Sequence, residues 1–252
     1  KIDLIRSGDR IVRMSNSYRY VGTVTEISPR TNTIKLNEEN FGNVTFTYAA
    51  TPYVLMFGKS SATLNDVRIG DKVQVEMNAA QDKVQYIQIM YEQLFKVKDK
   101  LSYKLTVTDE SGVSYDISNV GAPVTHYDKL FASYADITAG KFVMVSFTGQ
   151  QATAIHIPKD SLGKVDAIDP IGNKFTFTEY NQAARTVSDN QRIILNGKLA
   201  SVSSLKVGDR IQLVEGKNGE RWITVLTKEE KTFVKYTPAT KVVQFTIKLV
   251  TE

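Results

Sequence analysis

The period of the apolar positions changes four times along this chain, each time at a glycine. An apolar residue stands six and three positions before Gly8 (Ile2, Ile5), Gly70 (Leu64, Val67), Gly140 (Tyr134, Ile137) and Gly208 (Val202, Leu205). Apolar residues three apart lay one face of a short helical or 3₁₀ turn on a core. Beyond each glycine the spacing becomes two, at Ile11 and Arg13, Val73 and Val75, Val143 and Val145, and Ile211 and Leu213. The pattern predicts four copies of a helical turn, a Gly-Asp reversal and a half-buried strand. The glycines lie 62, 70 and 68 residues apart, so the chain is a repeat.

The rest of the unit repeats too. "GTVTEISPRTNTIKL" from Gly22 and "GKVDAIDPIGNKFTF" from Gly163 carry apolar residues at identical offsets: Val24, Ile27, Ile34 and Leu36 match Val165, Ile168, Phe175 and Phe177. The intervening "SPRTNT" and "DPIGN" reverse the chain, so this half is a β-hairpin. The middle copy is two residues shorter between Val97 and the Leu105 and Val107 pair, which calls for a tighter loop. A less regular third segment ends near Gly58, Asp128 or Gly197, and "DKVQYIQIM", "QATAIHIP" and "GERWITVL" supply the last strand. About five strands and one short helical turn per unit predict an all-β chain, a tandem repeat of small antiparallel β-barrel modules of the OB or SH3-like kind. The expected modules are residues 21–92, 93–161 and 162–229. Residues 1–20 read as the second half of a module, and residues 230–252 as the first half of another, because Phe233, Tyr236, Val243 and Phe245 repeat the hairpin offsets. Such halves either stay open, leaving strand edges that invite pairing with another chain, or complement one another.

Composition narrows the chemistry. There is no cysteine, which removes disulfides, thiolate metal sites and cysteine nucleophiles. The net charge is +5 with a pI near 9.1, but the 32 basic and 27 acidic residues are interspersed, without the block of basic residues that a nucleic-acid binder concentrates on one face. No stretch approaches the roughly 20 apolar residues that cross a bilayer. The chain starts in mid-repeat and without methionine, so it reads as a piece of something longer with any targeting signal outside it.

The two histidines, His126 and His156, have no metal-ligand spacing, and no hydrolase, P-loop, zincin or dinucleotide motif is present. Asp9, Asp71 and Asp209 recur after the glycines, but a turn role outweighs a catalytic one, since Lys141 takes that place in the third copy. The acidic stretches at Asn37 and Asp109 lack the ligand spacing of a calcium loop and read as hairpin tips. No cofactor or metal is therefore expected. Exposed aromatics beside polar residues could bind a glycan or a single strand, and Tyr18, Arg19, Tyr20, Tyr53 and Phe57 are the candidate ligand-binding residues. The competing role, filling small cores and inter-module joints, carries more weight.

The phrase made of apolar triplet spacing, "VGD" and an alternating strand, followed by a new "G-x-V-x-x-I" hairpin, resembles the tandem β-modules of Gram-positive cell-surface proteins. These are the kind that carry S-layer homology domains in Bacillus- and Paenibacillus-like bacteria. The resemblance spans the whole chain, although no S-layer homology domain is present. It implies a secreted, extracellular chain at the cell surface or cell wall, acting as spacer, scaffold or self-assembling lattice segment and not as an enzyme. The expected partners are other copies of the chain or neighbouring domains, with cell-wall polysaccharide or another polyanion as the alternative. A nucleic-acid-binding barrel stands third, and no membrane is implied.

Overall fold

The computed structural model describes residues 2–16, 18–118, 121–179, 182–188, 191–195, 198–215, 221–226, 231–238 and 242–247. Two compact units emerge: one reaches Lys159, and the other starts at Asp160. Among the described residues the chain is all-β apart from single 3₁₀ turns at Leu64–Asp66, Tyr134–Asp136 and Val202–Ser204.

The first unit opens with the hairpin β1 (Ile2–Ser7) and β2 (Arg10–Asn16), a two-stranded sheet of its own. The first barrel follows, from β3 (Arg19–Ser28), β4 (Thr33–Glu38), β5 (Gly42–Met56), β6 (Lys59–Ala62), β7 (Lys72–Met77) and the start of β8 (Val84–Lys100). β3 pairs with β4, β4 with β5, β5 in parallel with β8, β8 with β7, and β7 with β3 again. Numbering its five wall strands in chain order, the ring runs 1-2-3-5-4-1 with strands 3 and 5 parallel, and the sheet closes on itself. Val24, Ile34, Leu36, Val73, Val75 and Ile87 fill it.

β8 does not stop at the barrel wall. Its second half becomes the first strand of the next barrel, pairing with β9 (Lys104–Thr108) and β12 (Phe142–Thr148). β10 (Ser114–Ser118), β11 (Val124–His126) and β13 (Gln151–Ile157) complete this barrel, with β11 parallel to β13. The ring order is the same, strand 3 being split into β10 and β11. Phe95, Val97, Leu105, Val143, Phe147 and Ile155 form its core.

In the second unit the order recurs. β14 (Lys159–Asp169) pairs with β15 (Lys174–Glu179) and β15 with β16 (Arg185–Ser188), while β17 (Gln191–Leu195) runs parallel to β20 (Arg221–Leu226). β18 (Lys198–Ala200) pairs antiparallel with β17, and β19 (Arg210–Glu215) lies between β20 and β14. Val165, Phe175, Phe177, Ile211 and Ile223 are its core. The hairpin β21 (Lys231–Thr237) and β22 (Val242–Ile247) is a separate two-stranded sheet.

The OB-like all-β repeat is thus present, with two corrections of detail. The module edges expected at 20/21, 92/93 and 161/162 fall inside β3, β8 and β14, and the one at 229/230 lies outside the described residues. The helical turn expected around Ile2 and Ile5 is instead strand β1. The other copies have a hydroxyl residue just before the turn, Thr63, Ser133 or Ser201, whereas Lys1 holds that place in the first. Leu4 also sets up alternation with Ile2, so a period of two wins there. As for loops, the middle hairpin turns through residues 101–103, one residue fewer than 29–32 or 170–173, as its shorter sequence requires.

Candidate functional site

What the Gly-Asp phrase does is visible in its main-chain bonds. Gly70 N–H donates to Val24 C=O at 2.8 Å, and Val24 N–H donates to Asp71 C=O at 2.8 Å. Gly140 and Lys141 hold Val97 in the same way, and Gly208 and Asp209 hold Val165. Each clamp joins the turn before strand 4 to strand 1 of its own barrel. The glycines have φ of +96°, +84° and +96°, the left-handed region that a side chain disfavours. Strand 1 is bulged just past each clamped valine, and the register shifts at the matching place in β21, after Phe233. A bulge bends and twists its strand, as closure of so small a barrel requires. The Asp71 and Asp209 carboxylates accept the N–H of Arg68 and Lys206, both at 2.7 Å, and so only tighten the turn. Lys141 substitutes freely because the clamp uses its carbonyl.

A second repeated carboxylate sits two residues past the last inward residue of strand 2, as Glu38, Asp109 and Glu179. Glu38 is buried and accepts Asn40 N–H at 2.7 Å and Phe41 N–H at 2.8 Å. Burial pushes its carboxyl up, but those backbone donors outweigh it and hold it below its usual range. Asp109 accepts Ser111 N–H, Val113 N–H and the Tyr115 hydroxyl, and is likewise held low against the effect of burial. Both are hairpin tips. Glu179 instead meets Arg185 at 2.9 Å, whose other side grips Glu215 through two bonds of 3.0 and 2.8 Å. Among the described residues no three acidic or histidine side chains gather as a metal site needs. His156 Nδ1 is 2.9 Å from the Thr125 hydroxyl, and His126 Nδ1 is 2.5 Å from Asp128.

The five candidate ligand residues separate into three places. Tyr20 packs on the first core and against Phe46, with ring centroids 4.9 Å apart, and Tyr18 stacks on it at 6.2 Å. Arg19 and Tyr53 are on the outer wall. The registers place Arg19, Glu76, Tyr86 and Tyr53 in one row across β3, β7, β8 and β5. Arg19 pairs with Glu76 at 3.2 Å, and Tyr53, 60 % exposed, stacks on Tyr86 at 5.2 Å. Phe57 belongs to neither group. It leaves the β5–β6 turn of the first barrel and enters the second, stacking on Phe147 at 4.0 Å with Phe95 and Tyr115 around it. The Tyr91 hydroxyl donates to Phe57 C=O at 3.0 Å, and burial pushes its pKa up to about 12. Phe57 is therefore an inter-barrel plug.

Beside that plug lies a groove of about 420 Å³ that sequence reasoning missed. It opens where the second barrel is incomplete. In the first barrel Tyr48 of strand 3 pairs with Val84 of strand 5; in the second, β10 and β13 are not paired. Its walls carry the amides of Gln88, Gln150 and Gln151. Those residues fall on outward or turn positions and look like ordinary surface in the sequence, so only a view of the two barrels together could have found them.

The outward side chains of strands 2 and 3, the face on which OB barrels commonly bind oligonucleotides and oligosaccharides, are short or paired. Lys35 bonds Glu26 at 2.5 Å beside exposed Thr45 and Thr47. Asp116 takes Lys104 at 2.8 Å and Thr106 at 2.7 Å, and Thr178 bonds Asp166. No family model matches this chain, and neither does any curated protein. Among solved structures, the chain described as "drosophila Unr CSD456" is similar over 84 % of this chain and 99 % of its own, with 12 % identity and a TM-score of 0.24. At that score the likeness carries no argument, and the strand pairing itself defines the fold.

Proposed function

We propose that this chain is a non-catalytic structural segment of a bacterial cell-surface protein, a spacer or scaffold built from OB-like barrels. The observation that carries the reading is β8, one strand of 17 residues that closes the first barrel and founds the second. A joint made of continuous main chain, stiffened by the Phe57 plug, transmits position and load where a flexible linker would not. The repeated polar residues are also spent on architecture: the glycine clamps join strands 1 and 4, and Glu38 and Asp109 secure hairpin tips. Placement at the cell surface follows from the resemblance of the repeat phrase. The short or charge-paired outward residues where strands 2 and 3 face each other, such as Lys35, Thr45, Thr106 and Asp116, favour this reading over a nucleic-acid platform on that stretch, which needs stacking rings and a cationic track. The Tyr53–Tyr86 stack lies further along β5, in a row where Arg19 is neutralised by Glu76.

The test uses the lack of cysteine. Spin labels at Thr45→Cys in the first barrel and Ser114→Cys in the second should give one narrow distance distribution by pulsed electron resonance. A broad distribution would mean a hinge at the joint, and the spacer reading would fail.

A further inference from the structure

We infer that the groove between the first two barrels is a binding site for an uncharged oligosaccharide, a function beyond the structural role proposed above. Its floor is apolar, formed by Leu55 and Phe57 from the first barrel and Ile117 and Ala152 from the second. Around that floor stand Gln88, Thr148, Gln150, Gln151 and Ser118. None of these five has a side-chain hydrogen bond to another described residue. Amides and hydroxyls both donate and accept, which suits the vicinal hydroxyls of a sugar, while an apolar floor suits the C–H face of its ring. The single charged group in the lining, Asp116, is already taken by Lys104 and Thr106, so nothing there selects an anion or a cation. The volume lies within the range of about 300–1,000 Å³ that encloses small ligands.

The site is also built. Gly149 turns the β12–β13 loop at φ +60° and donates its N–H to Ile89 C=O at 2.9 Å, which sets Gln150 and Gln151 beside Gln88. A Cβ on Gly149 would lie 3.0 Å from the Leu55 side chain and 3.1 Å from Gln88 Oε1, so glycine lets the loop rest closely on the first barrel without displacing either. The opening exists because β10 and β13 do not pair, and within it Leu55 and Phe57 are half-buried and offer the apolar contact, while Ile117 and Ala152 are buried.

The experiment is a titration of the ¹⁵N-labelled full chain with neutral trisaccharides in the gluco, galacto, manno and N-acetylglucosamine series. Each is taken to about 10 mM, enough to saturate a site with a Kd near 1 mM. At least one should give saturable shifts of the Gly149, Gln150 and Gln151 backbone amides and of the Gln88 side-chain amide. Gln88→Ala and Gln151→Ala should each weaken that binding about fivefold, the effect of one lost neutral hydrogen bond. Tyr53→Ala, on the outer wall, should leave it unchanged. No saturable shift with any of the four series overturns the inference, as does binding that survives both glutamine variants or that is lost with Tyr53→Ala. The spin-label distances do not depend on this outcome, so the structural reading can stand or fall separately.

Discussion

Phe57→Ala should weaken the second barrel, although Phe57 belongs to a turn of the first. Removing a fully buried phenylalanine costs about 3–5 kcal/mol. Phe57 is half-buried, with its contacts made mainly through the stack on Phe147 and the Phe95 and Tyr115 edges. Half of the burial cost plus about 0.5–1 kcal/mol for the ring pairs gives a loss of about 2–3.5 kcal/mol. Phe57→Leu keeps much of the volume and should cost about 1 kcal/mol. Native-state hydrogen exchange resolved by peptide reads the location directly. Protection should fall in β12 and β13, around Val143, Val145 and Ile155, while β4 and β7 keep theirs. Loss confined to the first barrel, or a total below about 0.5 kcal/mol, would refute the plug.

Three further outcomes follow from the repeats. Gly70→Ala should cost about 1–3 kcal/mol, because alanine is strained at φ +96°, whereas Asp71→Lys should cost well under 1 kcal/mol, since Lys141 already serves in that place; urea midpoints of the two variants decide. Asp136 is held down to about 2, chiefly by the Lys129 ammonium and then by Ser133 N–H. A depressed folded-state carboxyl adds stability that is complete above its ordinary value of 3.8 and is lost as pH falls through about 2. Asp136→Asn should therefore flatten the fall in urea midpoint across that acid window, and parallel curves would contradict the pairing. Arg185→Met should destabilise the third barrel by about 2 kcal/mol, less than for a fully buried pair because a third of the side chain is exposed. Adding Glu179→Gln should restore part of that loss in thermal melts.

The reach of the sequence follows from what each feature leaves in the pattern. Inward residues such as Val24, Val97 and Val165 recur at fixed distances because a barrel interior must be apolar on every second residue. Strand count, hairpins and the OB-like class were therefore legible. The bulges were not, since an extra residue at Thr25 or Lys98 changes the face of its neighbours without changing their type. Nor was the parallel closure of strand 3 on strand 5, which joins residues far apart in the chain. Phe57 stood among the candidate ligand residues because a lone aromatic in a turn has the same sequence signature whether it faces solvent or enters a neighbour. The groove amides left no signal at all: the open seam that exposes them comes from a missing pair, and a missing pair is not written at any one position.

The continuity of β8 also separates two boundaries that usually coincide, the one where a domain can be cut and the one where it ends. Severing the chain at 92/93 would remove the first strand of one barrel or leave the other with a frayed end, whichever fragment kept the residues. The natural unit of exchange runs from one glycine reversal to the next, cutting through each barrel and sparing each joint. A new repeat spliced at Gly70 and Gly140 would arrive with half of two barrels, and its junctions would be judged by how well borrowed strands fit old ones. Such a chain can lengthen by whole periods while every seam it creates lies within a folded body.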